Sequence, residues 1–286
     1  MPLIKTEKLT HTYSIGTPFE HIAIRDVCFE AERGEYIGII GHTGSGKSTF
    51  VQHLNGLLKP TSGSVYFDGR DIRESKVWMR KVRFKVGLVF QYPEYQLFET
   101  TVFEDIAFGP KNMGLSSSEV RERVIEAAGL ALLDESLLEK SPFELSGGLK
   151  RRAAIAGVIA MRPEVLILDE PTAGLDPRGR SEIIGNIMNY KRAHDVTIIM
   201  VSHSMEEVAR NADRIIIFEN GSIVMDGTPA SVFSEAERLA AMDLSAPQAA
   251  LVAQRLREMG LQISGDIYTI PQLRLALGEL RSDLEN

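Results

Sequence analysis

The stretch "GHTGSGKST" (41–49) fits the spacing G-x-x-x-x-G-K-[ST], a loop whose backbone N–H groups converge on phosphate. Gly41, Gly44 and Gly46 let the backbone close on an anion, with His42, Thr43, Ser45 and Thr49 completing the loop. A helix expected from Lys47 to about Asn55 adds its N-terminal dipole. Lys47 is placed to bridge the β- and γ-phosphates of ATP, and the Ser48 hydroxyl to reach Mg²⁺. In "VLILDEP" (165–171) a buried strand ends on Asp169, which can join the Mg²⁺ shell. Glu170 follows directly. Two adjacent carboxylates near a triphosphate repel each other, so Glu170 suits a general base that orients the attacking water. Its structural alternative is a helix-terminal carboxylate that satisfies backbone donors. Gln91 and His203 each follow an apolar strand, "VGLVF" and "TIIMVS", at the sheet edge where α/β proteins bind ligands. Gln91 can reach Mg²⁺ or water there, and His203 the γ-phosphate or water.

A second anion-binding turn lies a hundred residues further on. In "LSGGLKRR" (145–152), Ser146, Gly147 and Gly148 open a helix with their N–H groups free. No lysine in a nearby loop completes a second nucleotide site. The simplest solution is that this turn closes on the γ-phosphate of ATP held by another protomer, two chains packing head-to-tail around two nucleotides.

The elements that must position these groups read as an α/β protein. Short β-rich runs ("LIKTEKL", "HIAIRDVCFEA", "GSVYFDG") suggest an antiparallel sheet. Runs rich in Val, Ile and Leu ("EYIGII", "VGLVFQ", "VLILDE", "TIIMVSH", "RIIIFEN") suggest a parallel core, the last three separated by helices. Residues 92–163 read as a helical insertion, with a capping box at Ser116 and Glu119. Asp176-Pro177 starts a helix, and Ser204 with Glu207 caps the next. The ATP-binding domain is expected over 1–243. The tail, 244–286, holds two amphipathic helices that form either a small appended subdomain or surface helices on the core.

Composition bounds the rest. Hydrophobic residues make up 44% and charged residues 25%, as in soluble globular chains. A net charge of −7 argues against general nucleic-acid affinity. The locally basic segment around 70–86 is either a solvated face or a contact for nucleic acid or lipid headgroups. The single cysteine, Cys28, excludes an internal disulfide, fits a reducing compartment and is expected to be buried in its strand. No signal peptide is expected at "MPLIKTEKLTHTYS", and the longest apolar runs are half the ~20 residues of a membrane helix.

Taken together, these motifs resemble the ATP-binding-cassette (ABC) ATPases over residues 1–240. "GHTGSGKST" is similar to their Walker A, "VLILDE" to Walker B, "LSGG" to the signature and "AGLD" (173–176) to the D-loop containing Asp176. Gln91 resembles the Q-loop glutamine and His203 the switch histidine. Tyr13 matches the aromatic residue that stacks on adenine; otherwise it reads as a sheet-edge aromatic. "QYPEYQLFETTVFEDIAFGPKNMG" and "AGVIAMRPEVLILDEPTAGLDPRG" resemble the energy-coupling-factor (ECF) transporter ATPases, most closely their second, A-prime, paralogue. The resemblance implies a RecA-like parallel sheet with an N-terminal antiparallel β subdomain, a helical insertion and a C-terminal dimerisation extension. It further implies a peripheral ATPase on the cytoplasmic face of the membrane, powering uptake of vitamins or transition-metal ions. Its implied partners are a second ATPase subunit (a paralogue or an identical chain), a transmembrane coupling protein and a substrate-binding membrane component, with no nucleic acid. "YPEYQLF" suits docking to a basic partner through Glu94. An ABC ATPase not devoted to transport is the other reading. One departure stands out: Leu149 replaces the usual signature glutamine and lacks its amide hydrogen bonds. Either the site it completes is weaker, or Leu149 serves packing.

Overall fold

The computed structural model describes residues 1–263 and 265–285. Strands β1 (Ile4–Tyr13) and β2 (His21–Ala31) pair antiparallel. The chain then enters the interior as β3 (Tyr36–Gly41), buried throughout, and turns into α1 (Lys47–Leu54). It returns to the first sheet with β4 (Ser62–Phe67) and β5 (Arg70–Asp71), giving the order β2-β1-β4-β5. Within β2, Val27, Phe29 and Ala31 face the core. The two-residue strand period therefore turns Cys28 outward, and the expectation of a buried thiol is wrong. Its sulfur instead accepts the Lys8 N–H at 3.3 Å.

After α2 (Lys76–Lys85) the chain builds the second sheet, starting with β6 (Val86–Val89). A helical layer follows: α3 (Val102–Asn112), α4 (Ser117–Leu130) and α5 (Gly147–Ile159). The chain continues through β7 (Val165–Asp169), α6 (Pro177–His194), β8 (Thr197–Val201), α7 (Met205–Asn211), β9 (Arg214–Glu219) and β10 (Ser222–Gly227). The sheet order is β10-β9-β3-β8-β7-β6. All pairings are parallel except β9 with β10. The parallel strands are buried on both faces, which explains their continuous Val, Ile and Leu runs.

Register does the positioning. Val89 lies opposite Leu168, Asp169 opposite Val201, and Ile39 opposite Val201. The carboxyl ends of β6, β7, β8 and β3 are therefore level, and Gln91, Glu170, His203 and the phosphate loop all leave the sheet along one edge. Behind that edge, Phe29, Phe50 and Phe218 pack between the two sheets. In the helical layer, Ala107, Ala127, Ala128, Ala153 and Ala156 allow close approach of the helices over Leu166 and Leu168. Leu149 is half-buried against this cluster, which favours its packing role.

The capping box at Ser116 and Glu119 is complete. That at Ser204 is only half made: its hydroxyl accepts the Glu207 N–H at 3.3 Å, while the Glu207 carboxylate turns to the Thr172 hydroxyl at 3.4 Å. The chain ends with α8 (Pro229–Ser234), α9 (Ala236–Ala241), α10 (Gln248–Glu258) and α11 (Ile270–Glu285). Ala249, Ala253, Ile263 and Ile267 form a small cluster of their own, while Ala250 and Tyr268 pack onto the cluster beneath α7–α9.

His53, on α1, is fully buried. Burial pushes its pKa down to about 4, although the Thr49 carbonyl pulls the other way. In the unfolded chain the ring protonates near its ordinary value of 6.5. Between those two values the unfolded state binds more protons, so stability falls as pH falls from 6.5 toward 4. The loss amounts to about 3 kcal/mol. Denaturant unfolding across this range is expected to show that slope, and His53→Gln, with no titrating ring, to flatten it.

Candidate functional site

The phosphate loop is shaped by two glycines that no other residue can replace. A Cβ on Gly41 would meet the Phe218 carbonyl oxygen at 2.3 Å. Gly46 has φ 104°, and a Cβ there would meet the Ala23 carbonyl oxygen at 2.5 Å. Gly46 is also the N-cap of α1 and offers no side-chain acceptor, so the first N–H groups of the helix are left for an anion. Lys47 is buried and donates to the Gly41 and His42 carbonyls, both at 2.7 Å. Burial lowers its pKa, and the nearby Glu170 and Asp169 carboxylates oppose that shift. Thr43 and Gly44 are exposed at the loop tip, while the buried Ser45 hydroxyl has no partner. The His42 ring hydrogen-bonds the Met242 carbonyl, tying the loop to the segment after α9. Tyr13, at the end of β1, places its hydroxyl 3.2 Å from the Thr49 hydroxyl.

Glu170 is the centre of the second group. Its Oε2 accepts from Gln91 Nε2 at 2.8 Å, and its Oε1 lies 2.7 Å from His203 Nε2. The residue is in the left-handed region at φ 50°, a strained conformation for a non-glycine residue that recurs at functional sites. A cleft of about 380 Å³ opens beside it, lined by Glu170, His203, Thr172 and Arg180. Asp169 is buried and its Oδ1 has no partner. Burial raises its pKa, the Ser48 hydroxyl lowers it, Glu170 raises it and Lys47 lowers it. An orphaned carboxylate oxygen beside the Ser48 hydroxyl, with the Gln91 amide on the same edge, is a hard-oxygen donor set that suits Mg²⁺. Among the described residues no group of three or more His, Cys, Asp or Glu side chains could hold a metal by itself.

The third group stands apart. The Ser146 hydroxyl caps α5, accepting the Leu149 N–H at 3.5 Å, and Gly147 and Gly148 have open space where a Cβ would be. Ser146 and Gly147 are exposed, and among the described residues no hydrogen bond joins them to the phosphate loop. Asp176 is likewise exposed and caps α6, its Oδ1 accepting the Gly179 N–H at 2.7 Å. The structure thus gathers 41–49, Gln91, Asp169, Glu170, His203 and Tyr13 along one edge, and leaves 146–148 and Asp176 outside that cradle.

Sequence reading missed Arg151. It is buried, donates to the Pro171 and Ala173 carbonyls at 3.4 and 2.6 Å, and grips Glu94 with two bonds of 3.0 and 2.8 Å. This fastens α5 to the loop after Glu170, yet nothing in "LKRR" distinguishes this arginine from its neighbours. The same pair bears on the expectation for Glu94. Its carboxylate is already paired with Arg151 within the chain, so it does not stand free for a docking partner.

Comparison with known proteins agrees with this geometry. The ABC transporter family model matches residues 24–173. The chain is 55% identical over 275 residues to the energy-coupling factor transporter ATP-binding protein EcfA2 of Clostridium tetani, covering 96% of each chain. It is 55% identical over 278 residues to the protein of the same name in Clostridium perfringens, covering 97% of this chain and 98% of that one. Among solved structures, CbiO1 of Clostridium perfringens, part of the ABC transporter complex CbiONQ, superposes with a TM-score of 0.74 at 39% identity, covering 88% of this chain and 99% of that one. The ATP-binding cassette MJ0796, solved as a dimer in a post-hydrolysis state with ADP and Pi, gives 0.72 at 29% identity, covering 79% and 98%. With the phosphate loop, the Asp169–Glu170 edge and the isolated Ser146 turn all in place, this chain belongs to the ABC ATPases and, among them, to the ATP-binding proteins of energy-coupling-factor transporters.

Proposed function

We propose that this chain is the ATP-hydrolysing subunit of an energy-coupling-factor importer, a peripheral protein on the cytoplasmic face of the cell membrane. The observation that carries this reading is Glu170, held between Gln91 and His203 beside the phosphate loop. Lys47 leaves the Gly41 and His42 carbonyls to take the β- and γ-phosphates of ATP, which also face the N–H groups of α1. Ser48, Asp169 and Gln91 would hold Mg²⁺, which would supply charge neutralisation to the phosphates. Glu170 aligns the attacking water and accepts its proton, His203 steadies the γ-phosphate, and Tyr13 stacks on adenine. The turn 146–148 and Asp176 serve the nucleotide of a second ATPase, a paralogue of this chain. The dimer seen for MJ0796 supports such a pairing. Residues 1–243 form the ATPase proper. The extension 244–286 strengthens the pair through the exposed Leu251, Val252, Ile270, Leu275 and Leu277.

The membrane partners dock in a groove of about 400 Å³ between α2, α3 and α5. Its wall is apolar and aromatic, with Phe98 and Phe108 exposed and in edge contact at 5.1 Å. Two charged residues line it, Arg83 and Asp105, and Arg83 donates to the Gly56 carbonyl at 2.8 Å. Asp105 is buried, its Oδ1 accepts the Phe98 and Glu99 N–H groups at 3.1 and 3.2 Å, and its Oδ2 has no partner. Burial raises the Asp105 pKa, and a cationic side chain on the transmembrane coupling protein would hold the carboxylate ionised once docking uncovers that oxygen. Asp105→Asn keeps the Oδ1 contacts and loses the charge. It is expected to weaken assembly about 30-fold or more, from at least ~2 kcal/mol for one partner of a buried charge pair. Nucleotide binding by the isolated chain is expected to be unchanged. The overall reading is tested by tagging this chain in detergent-solubilised membranes. A second ATPase and two membrane proteins should elute with it, hydrolysing Mg-ATP; elution of this chain alone would overturn it.

A further inference from the structure

Two histidines lie beneath Tyr13, and neither belongs to the phosphate loop nor to the hydrolytic edge. His11 and Tyr13 are two apart on β1 and so share a face; their rings meet edge-on with centroids 4.4 Å apart. His11 Nδ1 lies 3.2 Å from His53 Nε2 and 3.2 Å from the Lys59 carbonyl. His53 Nδ1 lies 2.7 Å from the Thr49 carbonyl. The Thr49 hydroxyl returns to the Tyr13 hydroxyl at 3.2 Å and closes the ring of contacts.

The tautomers follow from the carbonyls, which only accept. Facing Thr49 O, His53 Nδ1 carries the hydrogen, leaving Nε2 as an acceptor. Facing Lys59 O, His11 Nδ1 carries the hydrogen and donates to both that carbonyl and His53 Nε2. Burial favours the neutral form of His53, and the Lys59 carbonyl lies close to both rings. A singly oriented pair is a rigid strut between β1 and the first turn of α1.

We propose that His11 and His53 are positioning residues that fix the Tyr13 ring as a platform for the adenine of ATP, acting on base recognition and not on phosphate binding. The inference rests on the reading of Tyr13 as the adenine platform. His11 holds the ring from its edge, and His53 ties His11 to the residue that ends the phosphate loop. The platform is thereby kept in register with the triphosphate cradle. Free rotation of Tyr13, which is 39% exposed, would otherwise have to be frozen by each nucleotide that binds.

The test compares ADP with inorganic pyrophosphate, which lacks the base, by calorimetry on the full chain with Mg²⁺. His53 is fully buried and its removal endangers the fold, so the substitutions are made at His11 and Tyr13. His11→Ala is expected to weaken ADP about five- to tenfold, the worth of one to two hydrogen bonds, with pyrophosphate unchanged. His11→Asn, whose side-chain N–H replaces Nδ1–H, is expected to recover most of the loss. Tyr13→Ala should weaken ADP by about as much or more, and the double variant should be no worse than Tyr13→Ala alone, because the two act as one unit. If Tyr13→Ala weakens ADP and His11→Ala does not, the strut is refuted and the platform stands. If neither weakens ADP, the reading of Tyr13 itself falls. Equal losses of ADP and pyrophosphate in His11→Ala would mean damage to α1 and would also overturn the proposal.

Discussion

Glu170→Gln is expected to cut ATP hydrolysis about 10²- to 10⁴-fold, the usual worth of a general base, while nucleotide still binds. The substitution is nearly isosteric, and the amide can still meet Gln91 and His203, now 2.8 and 2.7 Å from the two carboxylate oxygens. What it cannot do is accept a proton from water. Binding is spared because the contacts of the phosphate loop lie elsewhere, at Lys47 and the N-terminus of α1. Lys47 loses one of two neighbouring carboxylates that favour its charge and keeps Asp169. The variant complex should therefore hold Mg-ATP in a closed pair and release no phosphate. Steady-state phosphate release and retention of labelled ATP check both halves. Residual hydrolysis within tenfold of the unaltered complex would remove Glu170 from the role of base.

How much of this was legible in the chain depends on how local the physics is. The loop 41–49, the strand before Asp169 and the strand before His203 are written in consecutive residues. Parallel register then brings their ends level without further instruction. The burial of Cys28 was misjudged, because alternation alone does not say which of its two faces meets the core; Val27 and Phe29 decide it. The internal pairing of Glu94 was missed for a different reason. Its partner Arg151 lies 57 residues away, and only the packing of α5 against the Gln91 loop brings them together. That same packing leaves one oxygen of Asp105 unpaired in the groove, in a segment where Glu99, Glu104 and Asp105 look alike on paper. Leu149 belongs with these. Its departure from the signature glutamine reads equally as weakened chemistry or as packing until its contact with the core of the helical layer is seen.

The isolation of the Ser146 turn leads to the second large effect, in the pair formed with the other ATPase. Lys47→Ala removes the charge and donor at this chain's own phosphate loop and should empty that site. Gly147→Glu acts at the other anion turn. Open space surrounds the position, and an acid in the first turn of α5 favours the helix, so the free chain should fold normally. A phosphate approaching that turn would instead meet a side chain and a negative charge. If the turn completes the neighbour's site, each single variant loses a different site, and the double variant loses both. Retained nucleotide should then be about one per pair for each single variant and about none for the double, when both substitutions are carried on this chain. A turn that served its own phosphate loop predicts otherwise: both substitutions strike one site, and the double variant keeps about one nucleotide, like either single variant. Counting labelled nucleotide retained on the purified pair separates the two geometries, and a count of about two in Gly147→Glu would exclude the turn from nucleotide binding altogether.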